Sequence, residues 1–174
     1  MTDAGMPPPR PPRSRIAVPE DARDLPGDFA HVHRVEVRFS DTDAMGHVNN
    51  ARYLTYAEIA RVAYYERVSG APLPLATHGA EEGMILAQVA IAYRSPAFFG
   101  ETLAVETRVD RIGRTSFGMI HRMTAPESRY GAARLVAAVD SVLVNYDYAD
   151  DHPIPIPDEL AEAIEAFEGR AFRA

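Results

Sequence analysis

The chain has 174 residues, of which 47% are hydrophobic and 25% are charged, and it contains no cysteine. This composition fits one domain of ~100 to 200 residues, and the lack of cysteine excludes disulfides, thiolate metal sites and a cysteine nucleophile. A net charge of −7 argues against a general nucleic-acid-binding surface. No apolar run approaches the ~20 residues that cross a bilayer, and the N-terminus lacks a signal-peptide pattern. We therefore expect a soluble, cytoplasmic protein without nucleic-acid or membrane partners.

The N-terminal part of the chain is rich in proline and arginine. Proline lacks an N–H donor, and the segment offers little apolar surface to offset the entropy of ordering. We therefore predict a disordered arm over residues 1–28 and a single domain over residues 29–174. The alternative for the arm is a Pro/Arg-rich ligand for a partner protein.

Order is predicted to begin near His33, where polar and apolar residues alternate. Val35, Val37 and Phe39 share one face with His33, which is typical of a half-buried strand. The segment 41–50 that follows is polar and contains a glycine, so it is predicted to be a loop.

A helix is predicted over residues 51–68. Either Asn49 or Asn50 can serve as its N-cap, and Gly70 lies where the helix should end. Apolar and aromatic residues cover most of its circumference, so we expect it to be packed on most sides.

The rest of the chain alternates β-rich runs with turns. Four strands are predicted over 84–94, 103–109, 115–123 and 134–146, and a short acidic helix over 158–168. A long helix with about five antiparallel strands indicates an α+β domain whose curved sheet encloses the helix. Open sheet edges need covering, which predicts pairing with a second copy.

Chemical groups are densest in the loop 41–50, directly before the helix. The unpaired N–H groups and the dipole of a helix N-terminus can stabilise a negatively charged oxygen. A carboxylate on the same loop could attack a carbonyl held there, or activate a water molecule that does so. The alternative is that Asp41, Asp43, Asn49 and Asn50 serve only turn and cap geometry.

The segment 37–54 resembles the signature of the hotdog-fold acyl-CoA thioesterases, in particular the 4-hydroxybenzoyl-CoA thioesterase-like branch. It reads Val-Arg-Phe-Ser-Asp-Thr-Asp-Ala-Met-Gly-His-Val-Asn-Asn-Ala-Arg-Tyr-Leu. Segments 93–101, 111–117 and 153–157 are similar to further motifs of this family, in the same order. The resemblance covers about residues 33–160.

The resemblance implies a hotdog fold that works as a homodimer or homotetramer. It also implies that Asp43, the second aspartate of an Asp-x-Asp pair, is the catalytic carboxylate. The thioester oxygen would be held by the backbone N–H near Asn50, and Asp41 would be structural.

Two further residues are candidates for the catalytic site. His47 belongs to a His-Val-Asn-Asn run similar to that of the plant acyl-carrier-protein thioesterases, but Met45 stands where those enzymes use an asparagine. His47 could orient Asp43 or water, or only hydrogen-bond the loop. Glu58 lies where another hotdog branch carries its carboxylate, but Arg61 three residues later also fits an ordinary helix pair.

Substrate contacts are predicted from Asn49, Tyr53, Arg94 and Arg114, the arginines facing the phosphates of coenzyme A. His31 and His33 are too few for a metal site, and we expect neither a metal nor a cofactor.

The predicted function is hydrolysis of an acyl-CoA to a free acid and CoA. The alternatives are a hotdog enoyl-CoA hydratase or dehydratase and a non-catalytic acyl-CoA-binding protein. The sequence leaves open whether Asp43 acts as a nucleophile or as a general base.

Overall fold

The computed structural model describes residues 28–70 and 81–172. Two helices and six strands are described in this part of the chain, in this order: β1 (His31–Glu36), α1 (Asn50–Ser69), β2 (Glu82–Tyr93), β3 (Thr102–Ile112), β4 (Ser116–Ala125), β5 (Arg134–Asp147), β6 (His152–Pro153) and α2 (Asp158–Glu168). A 3-10 turn, Phe39–Asp41, lies between β1 and α1. The predicted α+β class is confirmed, whereas 1–27 of the predicted N-terminal arm lie outside the described residues.

The six strands form one antiparallel sheet. Its order is β1-β3-β4-β5-β2, with the short β6 paired to β5, so that β1 and β2 are the two edges. Helix α1 packs against β1, β3 and β2, which places it across the concave face of the sheet. The predicted long helix in a curved antiparallel sheet is confirmed.

Helix α1 begins and ends where local chemistry dictates. The side chain of Asn49 caps the N-terminus by accepting from the Ala51 N–H at 3.0 Å. Gly70 ends the helix in a left-handed conformation, with φ of 69° and its N–H bound to the Glu66 carbonyl at 3.0 Å. A residue with a Cβ is disfavoured at this φ, so the glycine fixes the C-terminus.

The packing of α1 differs from the expectation of burial on most sides. One face is buried, and it carries Tyr53, Tyr56, Ala57, Ala60 and Tyr64. The opposite face exposes Glu58, Ile59 and Glu66. The aromatic residues concentrate on the inward face, so the single chain leaves the other face uncovered.

Phe39 is also placed differently from the prediction. Strand β1 ends at Glu36, and the Phe39 side chain is 77% exposed. Asp41 draws the chain into a 3-10 turn, because its carboxylate accepts from the Arg38 N–H at 3.0 Å. This turn breaks the two-residue alternation before Phe39 can face inward.

The core consists of two apolar clusters. The first packs the N-terminal half of α1 on the sheet, and includes Tyr53, Tyr56, Ala60, Val105 and Met123. The second packs the C-terminal half of α1 and α2, and includes Tyr64, Phe117, Met119, Leu143 and Ile164.

Between the clusters lie three buried polar residues, Thr107, His121 and Ser141, here called the polar belt. They occupy inward positions on β3, β4 and β5. The polar belt therefore crosses the sheet beneath the middle of α1.

Among the described residues, no helix combines the length and the apolar character needed to span a membrane.

Candidate active site

The loop that precedes α1 is anchored by Asp41, whose side chain is fully buried. Its carboxylate accepts hydrogen bonds from the Arg38 side chain at 3.1 and 3.3 Å and from the Tyr56 hydroxyl at 3.0 Å. Burial acts to raise the pKa of Asp41, but these hydrogen bonds and the Arg38 N–H outweigh it and hold the pKa below its ordinary value. Asp41 thus joins the loop to α1.

Asp43 closes the next turn of the same loop. Its N–H donates to the His47 carbonyl and its carbonyl accepts from the Gly46 N–H, both at 3.0 Å. The Asp43 side chain is 27% exposed. Oδ1 accepts from the Met45 N–H at 2.9 Å, whereas Oδ2 makes no hydrogen bond within 28–70 and 81–172. One carboxylate oxygen is therefore free to accept a proton or contact a substrate.

The ring of His47 lies beside Asp43. Its Nδ1 is 3.3 Å from the Val48 carbonyl oxygen and 3.8 Å from Oδ1 of Asp43. Because both neighbours of Nδ1 are oxygen acceptors, the favoured tautomer of His47 carries its proton on Nδ1, and Nε2 is then an acceptor. Both predicted roles for His47, orienting Asp43 and binding the loop, fit these contacts.

The first turn of α1 presents an unused donor. The Asn49 N–H donates to the Asp41 carbonyl at 2.9 Å, and the Ala51 N–H is capped by the Asn49 side chain. The N–H of Asn50 donates to no acceptor in the described part of the chain. An unpaired N–H at the positive end of a helix dipole is suited to a carbonyl oxygen that gains negative charge.

A cleft of about 310 Å³, here called the loop cleft, opens beside this helix terminus. It is lined by His47, Val48, Asn50, Tyr53, Tyr93, Arg94, Ser95 and Pro96. Four residues that the sequence singled out are thus brought together: His47, Asn50, Tyr53 and Arg94. Asp43 is not among the lining residues, but its carboxylate lies 3.8 Å from the ring of His47, which is one of them.

Tyr93 is a member of the loop cleft that the sequence reasoning missed. Its hydroxyl donates to the Asn50 carbonyl at 3.0 Å, and its ring packs edge-on against Tyr53 with centroids 5.3 Å apart. Tyr93 lies inside the strand predicted over 84–94 and is the last residue of β2, and a position within a strand does not mark a residue as part of a site.

Besides Asp43, three predicted site residues do not line the loop cleft. The Asn49 side chain serves as the N-cap. Arg114 lies in the turn between β3 and β4, where its carbonyl accepts from the Ile156 N–H. Glu58 pairs with Arg61 at 3.3 Å, so the predicted helix pair is present.

A second cavity of about 180 Å³, here called the Arg61 pocket, lies under the C-terminal half of α1. Arg61, Tyr65, Met84, Phe117, Met119 and Leu143 are among its walls, and α2 contributes Leu160 and Ile164. Glu58 stands at its rim.

Loop 147–152 brings three potential metal-binding groups together. Ligand atoms of Asp147, Asp150 and His152 lie within 4.8 Å of one another. However, Oδ1 of Asp147 already accepts from the N–H groups of Ala149 and Asp150. Turn geometry accounts for this cluster.

Comparison with solved structures gives close matches in fold. A thioesterase from Thermus thermophilus, solved with coenzyme A and zinc, is 34% identical and has a TM-score of 0.67; the match covers 82% of this chain and 96% of that one. PA2801 of Pseudomonas aeruginosa, provisionally assigned as a thioesterase, is 31% identical with a TM-score of 0.66, over 79% of this chain and 99% of that one.

At the sequence level, the model of the thioesterase-like superfamily matches residues 37–164. YneP of Bacillus subtilis, provisionally assigned as an acyl-CoA thioesterase, is 30% identical over 76 residues, which are 44% of this chain and 54% of YneP. The chain spans about half the length of the curated relatives it matches first.

Proposed function

Because this chain belongs to the thioesterase-like superfamily and has the hotdog fold, we propose that it hydrolyses the thioester bond of an acyl-CoA, giving a free acid and CoA. The observation that carries the proposal is the free N–H of Asn50, which stands at a helix N-terminus beside a cleft. A half-buried carboxylate, Asp43, lies on the same short loop.

In the proposed reaction, the Asn50 N–H binds the thioester carbonyl oxygen and stabilises the charge that develops on it. Asp43 either takes a proton from an attacking water molecule or attacks the carbonyl itself. In the general-base route, the carbon–sulfur bond then breaks and the proton taken from water passes to the CoA sulfur. In the nucleophilic route, CoA leaves as a thiolate, and a water molecule then hydrolyses the acyl-Asp43 anhydride and supplies the proton. His47, with Nδ1 3.8 Å from Oδ1 of Asp43, orients the carboxylate.

Substrate binding is assigned to the remaining walls of the loop cleft. Tyr53 and Tyr93 provide an aromatic surface, and Arg94 offers a cation for a phosphate of coenzyme A. The similar Thermus thermophilus protein was solved with coenzyme A, which supports this ligand here. Contacts from Asn49 and Arg114 remain predictions, as do the cytoplasmic location and the independence of a metal or cofactor.

Release of free thiol from a panel of acyl-CoAs tests this function. We expect thiol release in proportion to the protein concentration, with at least one short-chain, long-chain or aromatic acyl-CoA. Including an enoyl-CoA in the panel distinguishes hydrolysis from the rival hydratase reaction, because hydration removes the conjugated absorbance and leaves the thioester intact. Tight acyl-CoA binding with no thiol release would instead indicate a binding protein.

We also propose that two copies of the chain pair through β2. This edge strand is twelve residues long and leaves Ile85, Leu86, Val89 and Ile91 only partly buried. A long apolar strand at the edge of a sheet has unpaired backbone groups that can pair with a strand of another chain. Pairing there would extend the sheet and bring a second copy near the exposed face of α1.

Light scattering should give a mass near twice the 19.1 kDa of the chain. Ala87→Lys, which puts a charge on the exposed β2 edge, should shift the protein toward the monomer. Val32→Lys on the opposite edge strand is the matched control and should leave the mass unchanged. A wild-type protein that is monomeric at all concentrations would refute this pairing.

A further inference from the structure

The Arg61 pocket combines apolar walls with one buried cation. The Arg61 side chain is only 16% exposed, and Met84, Phe117, Met119 and Leu143 form much of the wall. A volume of about 180 Å³ is comparable with an engineered cavity of roughly 150 Å³ that binds benzene. The pocket can therefore take a group the size of a ring or a short aliphatic segment.

The charge of Arg61 is weakly compensated. Within 28–70 and 81–172, its one carboxylate contact is Glu58, through a single pair of atoms at 3.3 Å. The Glu58 side chain is 61% exposed, and such pairs contribute little in water. Burial accordingly lowers the pKa of Arg61. A planar guanidinium with free donors is suited to bidentate binding of a carboxylate.

A second buried polar group lies near the Arg61 pocket. His121 follows the wall residue Met119 by two positions on β4 and shares its face of the sheet. Its ring is fully buried, with Nδ1 2.9 Å from the Thr107 hydroxyl. Nε2 has no hydrogen-bond partner in the described part of the chain.

Burial, together with the nearby charge of Arg61, lowers the pKa of His121 to about 3. The imidazole is therefore neutral at physiological pH. When the Thr107 hydroxyl donates to Nδ1, the proton of the ring is on Nε2. In that tautomer the buried N–H of His121 has no acceptor among the described residues, and the guanidinium of Arg61 has a single one, Glu58. A buried donor without an acceptor is costly unless a ligand supplies one.

We propose that the Arg61 pocket selects acyl groups that end in a carboxylate, so that the preferred substrates are CoA thioesters of dicarboxylic acids. This inference rests on the proposed thioesterase function. Apolar walls would hold the methylene chain, and Arg61, with His121 behind it, would bind the terminal carboxylate. A neutral chain would fill the same space but would give neither the His121 N–H nor the remaining donors of Arg61 an acceptor.

The separation of the two sites fits an acyl chain of medium length. Asn50 and Arg61 are ~16 Å apart along the helix axis at 1.5 Å per residue. Side chains on a helix lean toward its N-terminus, which brings the guanidinium closer to the loop cleft. A terminal carboxylate several methylenes from the thioester could reach it.

The test compares suberyl-CoA with octanoyl-CoA, which have the same number of carbon atoms and differ in the terminal carboxylate. We expect the wild type to prefer suberyl-CoA by ~10- to 100-fold in kcat/KM, the range of a buried charge-assisted hydrogen bond. Arg61→Met should abolish this preference by lowering activity on suberyl-CoA alone, and Arg61→Lys should retain part of it. Arg67→Met, an exposed arginine on the same helix, is the matched control.

Calorimetric binding of free suberate provides a readout that is independent of catalysis. The wild type should bind suberate more tightly than octanoate, and Arg61→Met should lose this difference while retaining its melting temperature. If octanoyl-CoA and suberyl-CoA are hydrolysed equally by the wild type and by Arg61→Met, the inference is wrong and the thioesterase function stands. If no acyl-CoA releases thiol but suberate binding depends on Arg61, the proposed function fails and the carboxylate site stands.

Discussion

Asp43→Asn should lower kcat for acyl-CoA hydrolysis by ~100- to 10,000-fold, the range expected when a positioned acid–base group is lost. An asparagine can neither take the proton from water nor act as the nucleophile. Its side-chain oxygen can still accept from the Met45 N–H, which Oδ1 of Asp43 contacts at 2.9 Å. The turn should therefore survive, and the melting temperature and KM should change little.

Glu58→Gln is the comparison that decides between the two candidate carboxylates. Glu58 lies outside the loop cleft and is paired with Arg61, so its substitution should leave most of the hydrolytic rate. A wild-type rate for Asp43→Asn together with an inactive Glu58→Gln would transfer the catalytic role to Glu58.

A single turnover in isotopically labelled water separates the two routes open to Asp43. Direct attack by Asp43 forms an anhydride, and its hydrolysis leaves label in the Asp43 carboxylate. General-base catalysis puts the label only in the released acid. Mass analysis of the peptide containing Asp43 distinguishes the two outcomes.

Asp41→Ala should lower the free energy of unfolding by ~2 to 4 kcal/mol, because it leaves buried donors without an acceptor. The Tyr56 hydroxyl and the Arg38 N–H both donate to this carboxylate at 3.0 Å. The Arg38 side chain is largely exposed, so water can solvate it in place of Asp41, which limits the loss of stability. Denaturant unfolding measures the change.

Two variants make this prediction specific. Asp150→Ala, at an exposed aspartate, should cost less than ~0.5 kcal/mol. Adding Tyr56→Phe to Asp41→Ala should cost less than the sum of the single changes, since it removes the orphaned hydroxyl. Additive effects would show that Asp41 and Tyr56 are not coupled.

The contribution of Asp41 to the free energy of unfolding should depend on pH in a direction that its pKa shift determines. The pKa of Asp41 is lowered by folding, so its contribution to stability is fully present above the unfolded value of about 3.9. That contribution is lost as the pH falls through the lower pKa of the folded state. The stability difference between wild type and Asp41→Ala should thus be constant at neutral pH and narrow only below about pH 4.

Most of the fold was predictable because its signals are local. The helix predicted over 51–68 spans Asn50–Ser69, and the strand predicted over 134–146 spans Arg134–Asp147. An N-cap and a C-terminal glycine encode the limits of the helix, and a β-rich run between turns marks the strand. Phe39 was misplaced because a buried aspartate two residues later determines its position, and burial of a carboxylate has no local pattern.

The grouping of the candidate site residues was predictable where one loop carries them, and less so where distant strands meet. The loop supplies Asp43, His47 and Asn50 in one run, and the structure places His47 and Asn50 in one cleft. Arg61 and His121 are 60 positions apart in the chain, and only the pairing of β3 with β4 sets His121 against Thr107. The sequence around an inward-facing histidine on a strand does not indicate which groups the neighbouring strands will place beside it.

The polar belt of Thr107, His121 and Ser141 separates the apolar cluster next to the loop 41–50 from the cluster around the Arg61 pocket. Substitutions that change side-chain size around Met119 or Leu143 would therefore alter the packing of only one of the two clusters. Tyr56 and its neighbours, which support Asp41, would keep their packing. Under the proposed function, selection could in this way alter which acids the protein accepts over evolutionary time, while the groups at the N-terminus of α1 are inherited unchanged.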